Sequence, residues 1–322
     1  MTDIPRQEPE ILKGTWLSPE ISSKRRHLGK ENAMCELLGI SSDSKIRPGH
    51  YFNVFRLRGQ EFEDGQGNPD GWGIALYPDG KGVQVIKEAI PAASSRLSEF
   101  LSTYEHLCSK IFIAHVRKAS RGIVAYHNTH PFSREVGGKD YAFAHNGIIR
   151  GIRRFSLGRR KPVGSTDSEY LFCHILNFIE QRNIGGWTED DLFELWKFLV
   201  AINRWPTKDQ EKPNKLNLLL TDGVTLIAYT DFYGIGGLYR LMLRANGEIL
   251  FGGRKLSACS QIKDNGEESI GIIATKPVSC DKLWVSIGPG ELCAFRNGVE
   301  IFSSGALRSG GRPQLARKSL PG

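Results

Sequence analysis

A chain of 322 residues, 40% hydrophobic and 24% charged, has room for one large domain or two modest ones around a substantial core. It holds no apolar run of the ~18–20 residues that a membrane-spanning helix needs, and residues 1–34 lack the apolar stretch of a secretory signal. The formal charge of +8 invites a polyanion partner, but much of it lies in two places: Arg308, Arg312, Arg317 and Lys318 in a Gly/Pro/Ser-rich tail, and Arg150, Arg153, Arg154, Arg159, Arg160 and Lys161 in one segment. These read as a solvated tail and a basic loop rather than a nucleic-acid site, with docking of an acidic partner left open for the loop.

Residues 1–34 are polar, mix both charges and carry three prolines, so they bury little and form no fixed structure of their own. Beyond them, short apolar or alternating runs bounded by Gly, Pro, Asn and Asp read as strands. In chain order they are 36–41, 72–77, 83–86, 111–117, 141–149, 215–221, 225–229, 239–243, 270–275 and 292–295. Helical periodicity covers 94–108, 166–180 and 188–203. Strands dominate both ends and helices cluster between them, which suits an α+β domain of packed sheets with helices outside rather than regular βαβ alternation. The expected organisation is a polar extension or propeptide over 1–34, one domain over 35–303, and a disordered basic tail over 304–322.

Cys35 follows Met34 and opens the run Cys35-Glu36-Leu37-Leu38-Gly39. Either it packs as the buried start of a strand, or the working chain begins there. In the second case one residue carries a thiol and a free α-amine, and an amine titrating near ~7.7–8.0 can take the thiol proton at neutral pH. The six cysteines are scattered singly, which argues against a zinc site or a disulfide scaffold and, without a signal peptide, points to a reducing cytoplasm.

Asn68-Pro69-Asp70-Gly71-Trp72-Gly73 reads as a turn feeding a strand, its glycines letting another backbone come close. Arg117 ends a strand and is followed by the polar loop Lys118-Ala119-Ser120-Arg121-Gly122. It is a solvated charge or a fork for a substrate carboxylate under a closing loop. His127 and His130 lack a carboxylate or cysteine to complete a metal site. Asn146-Gly147 interrupts a strand-like run and is either a hairpin corner or a turn that presents the Gly147 N–H beside the Asn146 amide, two donors suited to an oxyanion. Thr166 with Glu169 makes a capping box that puts Asp167 in a first helical turn, for stability or for a substrate ammonium. Gly234-Ile235-Gly236-Gly237 lacks the third glycine of a dinucleotide fingerprint, and there is no P-loop.

Taken in order, Met34-Cys35, Asp70-Gly71-Trp72-Gly73-Ile74, His115-Val116-Arg117-Lys118-Ala119-Ser120, Asn128-Thr129-His130-Pro131, His145-Asn146-Gly147-Ile148-Ile149 and Ser165-Thr166-Asp167-Ser168-Glu169 resemble the class II glutamine amidotransferases, which are N-terminal nucleophile hydrolases. The resemblance runs from Cys35 to about Phe302 and is nearest to stand-alone members that begin Met-Cys-Glu-Leu-Leu-Gly. It implies a four-layer αββα fold and no cofactor or metal. It also implies that Cys35 is the nucleophile with its own α-amine as base, and that Asn146 and the Gly147 backbone form the oxyanion hole. Arg117 would hold the glutamine α-carboxylate and Asp167 the α-ammonium. Ser120 falls in the segment resembling the glutamine lid, and His130 matches a histidine near it.

Two departures stand out. Members acting on phosphoribosyl or sugar-phosphate acceptors carry an arginine-glycine pair where this chain has Gly67-Asn68-Pro69, and no synthase domain follows Phe302. The implied activity is therefore a glutaminase, free-standing or feeding ammonia to a partner enzyme. The alternatives are an amidohydrolase of γ-glutamyl peptides or conjugates, and a catalytically silent regulatory module on the same fold. The active chain is expected to start at Cys35, by removal of Met34 after initiation there or by cleavage of a propeptide.

Overall fold

The computed structural model describes residues 35–60, 67–119, 122–206, 212–246, 250–251, 254–255, 267–279 and 282–305. The extension expected over 1–34, Ser120, and the tail from 306 onward lie outside them. The elements are β1 (Glu36–Ile46), α1 (Gly49–Arg56), β2 (Trp72–Leu76), β3 (Gln84–Glu88), α2 (Arg96–Thr103), β4 (Ser109–Val116), β5 (Phe132–Val136) and β6 (Lys139–Ile148). There follow α3 (Asp167–Gln181), α4 (Glu189–Arg204), β7 (Lys215–Thr221), β8 (Thr225–Tyr229), β9 (Tyr239–Asn246), β10 (Leu250–Phe251), β11 (Arg254–Lys255), β12 (Glu267–Ala274), β13 (Val285–Ser286), β14 (Leu292–Arg296) and β15 (Val299–Ser303).

Two antiparallel sheets face each other. One has the order β13-β9-β12-β1-β4-β2-β3 and the other β15-β14-β8-β7-β6-β5, while β10 and β11 pair alone. The period-2 alternation of each strand divides its side chains between two cores. On β1, Leu38 and Ile40 pack with Tyr51, Phe52 and Phe55 of α1 and Leu101 of α2, whereas Leu37 packs between the sheets with Ala142 and Ala144 of β6. On the far side, Phe143 and Leu218 meet α3 and α4. The result is four layers, αββα, as the family resemblance implied. Phe143 lies flat on Phe172 of α3 with ring centroids 5.0 Å apart, and truncating such a ring to alanine costs about 3–5 kcal/mol.

The structure departs from the sequence expectations at several elements. Helix α1 was not expected: two turns behind Arg47-Pro48 are too short to show a period, but Tyr51, Phe52 and Phe55 are fully buried. Strands β5 and β15 also went unassigned. The helix expected over 94–108 stops at Thr103, because Tyr104 turns to extended backbone. Folded structure reaches Gly305, since Ser304 is buried and its Oγ accepts the Leu292 N–H. Cys108 is disulfide-bonded, against the expectation of single thiols, while Cys35, Cys173 and Cys293 are free.

Candidate active site

The site is built where β1 and β6 face one another. Cys35 immediately precedes β1 and shares the parity of Leu37, which points between the sheets. Asn146 shares the parity of Ala142 and Ala144 and points into the same layer. Its Nδ2 donates to the backbone carbonyl of Cys35. Behind it, Asn217 sits opposite Asn146 on β7 and donates from Nδ2 to the Asn146 carbonyl at 3.4 Å. A second amide thus braces the first. The next residue, Glu36, is buried and paired with Arg58 at 2.7 Å and Lys276 at 3.1 Å, which fixes where β1 begins.

Asn146-Gly147 is no hairpin corner. Both residues lie inside β6, with Asn146 opposite Asn217 and Gly147 opposite Leu216. Glycine is needed there for space, not for a left-handed turn: a Cβ on Gly147 would fall 1.9 Å from the Lys215 carbonyl oxygen and 2.6 Å from His145 Nε2. The close approach expected at the Asp70–Gly73 glycines is present at Gly73, where a Cβ would meet the His130 carbonyl at 2.4 Å.

Around the thiol, one short segment dominates. Lys118 N–H donates to Cys35 Sγ at 3.1 Å, and the thiol donates to the Lys118 carbonyl at 3.2 Å. Burial pushes the thiol pKa up to about 11; the Lys118 N–H and the Arg117 charge oppose the rise and Asp70 adds to it. Arg117 is buried, not solvated. Its backbone pairs with Asp70 and Gly71 at 3.0 and 2.8 Å, and its guanidinium donates to the carbonyls of Asp70 at 3.3 Å and Ile123 at 3.4 Å. Burial lowers its pKa, against the Cys35 and Asp70 charges.

Asp167 opens α3 and its Oδ2 accepts the Ile149 N–H at 2.6 Å, so this carboxylate sits at the end of the strand that carries Asn146 and Gly147. Thr166 caps the helix by accepting the Glu169 N–H, but the reciprocal half of the expected capping box is absent. The Glu169 carboxylate instead accepts N–H groups from Val163 at 2.9 Å and Gly164 at 2.6 Å and pairs with Arg134. Asn128 stitches the remaining loops together: its Nδ2 donates to the Ile123 carbonyl, which also receives Arg117, and its Oδ1 accepts the Ser165 N–H at 2.8 Å. The segments bearing Arg117 and Asp167 are thereby held side by side.

His130 is buried with its ring 4.4 Å from that of His115 and 4.5 Å from Phe132, and none of the four ring nitrogens of His115 and His130 has a partner among the described residues. His127 is exposed, so the two histidines of that motif do not converge. The one cluster of three described metal-ligating side chains, Glu291, Cys293 and Glu300, already holds a cation, because Arg240 reaches all three. Four of the six cations of the basic loop bond within the fold, while Arg159 and Lys161 are exposed. Arg150, Arg153 and Arg154 donate to the carbonyls of Pro213, Ser165 and Pro206, and Arg160 binds Asn177 and Glu180.

Three participants escape a reading of the sequence. Asp70 looks like a turn residue, yet its Oδ2 accepts the Ala119 N–H at 2.7 Å. Lys118 acts through its backbone, which leaves no mark on residue type. Asn217 did leave one, as the lone amide in Leu216-Asn217-Leu218-Leu219-Leu220.

Known proteins share this chain's family and fold. The family model for class-II glutamine amidotransferases matches residues 34–317. MJ1515 of Methanocaldococcus jannaschii, an uncharacterized protein by name, is 39% identical over 85% of this chain and 72% of its own. YafJ of Escherichia coli strain K12, whose name makes it a candidate glutamine amidotransferase, is 32% identical over 83% of this chain and 100% of its own. A crystal structure of a predicted glutamine amidotransferase from Pseudomonas aeruginosa PA01 superposes with TM-score 0.57 at 27% identity, covering 83% of this chain and 100% of that one. Glutamine phosphoribosylpyrophosphate amidotransferase from B. subtilis shares the fold, with TM-score 0.55 at 18% identity over 84% of this chain and 49% of that one. The chain belongs to the class II glutamine amidotransferase family.

Proposed function

We propose that the protein hydrolyses the side-chain amide of glutamine through a γ-glutamyl thioester on Cys35, in a chain whose first residue is Cys35. The observation that carries this reading is the bond from Asn146 to the Cys35 carbonyl, which brings an amide donor from the second sheet to the cysteine. Sulfur attacks the amide carbon, the α-amine takes the thiol proton, and the same proton goes to the departing nitrogen as the C–N bond breaks and ammonia leaves. Water then attacks the thioester and frees glutamate and the thiol. An α-amine near ~7.7–8.0 is placed on the same residue as the thiol and can take its proton at neutral pH as the attack proceeds. In this reading Asn146 and the Gly147 N–H receive the oxyanion, Arg117 the α-carboxylate and Asp167 the α-ammonium, while Ser120 belongs to the segment resembling the glutamine lid and His130 is the histidine matching the family motif.

A second reading keeps the same chemistry for γ-glutamyl peptides or conjugates. It is favoured by exposed Ile123, Val124 and Tyr126 beside Arg117 and by exposed Val163 near Asp167, apolar surface that could meet a leaving group larger than ammonia. Supply of ammonia to a partner enzyme remains part of the first reading. A reducing, cytoplasmic setting is supported by the free thiols of Cys35, Cys173 and Cys293, and the disulfide at Cys108 counts against it. No helix among the described residues is long and apolar enough to cross a membrane.

Incubating the Cys35-initiated protein with glutamine should release glutamate and ammonia in equal amounts. Release from γ-glutamyl peptides but not from glutamine would transfer the function to the second reading, and release from neither would end both.

A further inference from the structure

We propose that Asp70 is a positioning residue for the Cys35 thiol, acting through the single peptide group that joins Lys118 to Ala119. The carbonyl of that peptide accepts the thiol of Cys35 at 3.2 Å. Its N–H, which belongs to Ala119, donates to Asp70 Oδ2 at 2.7 Å. One planar amide therefore connects a carboxylate to a thiol, with the anion at the donor end and the sulfur proton at the acceptor end.

The direction of the effect follows from the polarity of that amide. A carboxylate on the N–H draws positive charge toward itself and leaves the Lys118 oxygen more negative, and hydrogen bonds in a chain strengthen one another in this way. A more negative oxygen holds the thiol proton more firmly. Asp70 thus favours the neutral thiol, and its own charge acts in the same sense on the sulfur. Arg117, one residue before Lys118, acts in the opposite sense.

Asp70 also helps to fix Arg117, by two contacts of its own backbone and one of Gly71 beside it. Its N–H donates to the Arg117 carbonyl at 3.0 Å, its carbonyl accepts the Arg117 guanidinium at 3.3 Å, and the adjoining Gly71 carbonyl accepts the Arg117 N–H at 2.8 Å. Asp70 therefore sets the thiol and the guanidinium together. Before attack, the thiol must leave the Lys118 carbonyl for its base, so a resting nucleophile is protected from stray electrophiles. The link to glutamine through Arg117 rests on the function proposed above. The hold on the thiol does not.

The test uses the full chain and no glutamine, so its outcome is independent of whether glutamine is the substrate. Alkylation of Cys35 by iodoacetamide, followed by mass spectrometry of the Cys35 peptide, gives rate against pH for the parent and for Asp70→Asn. Asparagine keeps an acceptor for the Ala119 N–H and removes the charge. The expected result is a midpoint lowered by about one pH unit, read below it as roughly tenfold faster labelling. An unchanged or raised midpoint overturns the proposal. Should Asp70→Asn not fold, amide exchange in the parent decides: the Ala119 N–H is expected to exchange at least about tenfold more slowly than in an unstructured peptide. An unprotected Ala119 N–H overturns it.

Discussion

Asn146 Nδ2 donates to the backbone carbonyl of Cys35, so a side chain on one sheet holds the residue that opens the other across 111 positions of sequence. The contact ties the two sheets at one end of the inter-sheet layer and brings an amide donor to the cysteine backbone. It makes Asn146 both a structural tie and the first candidate for receiving negative charge from an attacked carbonyl.

Replacing Asn146 with alanine removes both roles. Stability should fall by about 1 kcal/mol, the net worth of a hydrogen bond of this kind, and glutamine turnover by about 10²–10³, the usual loss for one oxyanion donor. Steady-state kinetics beside a urea melt separate the two. A loss of stability with turnover intact would leave Asn146 a brace only.

Gly147→Ala acts on packing. Its Cβ would fall 1.9 Å from the Lys215 carbonyl oxygen, a backbone atom that cannot rotate away. Strands β6 and β7 must part to admit it, and a cost of about 2–3 kcal/mol is expected, at the upper end for an added methyl group. A urea midpoint equal to that of the parent would contradict the register of β6 on β7.

Which parts were legible in sequence follows from what each part depends on. β7 and β8 appear where periodicity and flanking turn residues put them, because an apolar strand bounded by Asn, Asp and Gly needs only local information. α1 and β5 are short, and their place is decided by what they pack against. Asn146-Gly147 shows the limit best: the dipeptide favours a tight turn, yet pairing along β7 holds it extended. The ordered motifs brought Cys35, Arg117, Asn146 and Asp167 into view. Asp70 and Lys118 lie in the same motifs, but what they do there stayed hidden, since it depends on contacts 47 or more positions away.

Four histidines are held neutral by burial. His115 is pushed down to about 3 and His174 to about 4, and His130 and His145 are lowered in the same sense. The folded protein then binds fewer protons than the unfolded chain below the ordinary histidine value of 6.5. Stability is fully present above that pH and is lost as pH falls toward the folded values, with a slope of about 1.4 kcal/mol per pH unit for each histidine involved. Urea melts from pH 7 to pH 4 should show it, and a flat profile would contradict the burial of these rings.

Glu169→Gln should loosen the start of α3. The buried carboxylate accepts the Val163 and Gly164 N–H groups and pairs with partly exposed Arg134. Loss of the charge is expected to cost about 1–3 kcal/mol. The Michaelis constant for glutamine should rise, because Asp167 sits on the same helical turn. An unchanged Michaelis constant would separate Asp167 from substrate recognition.

The central claim is that Cys35 reacts as a first residue, with its own amine as the base. Intact-mass analysis after treatment with a glutamine-analogue electrophile tests it directly, comparing the chain that starts at Cys35 with the full chain. The expected result is one adduct on Cys35 in the first and none in the second. Equal labelling of both, or of neither, would contradict it.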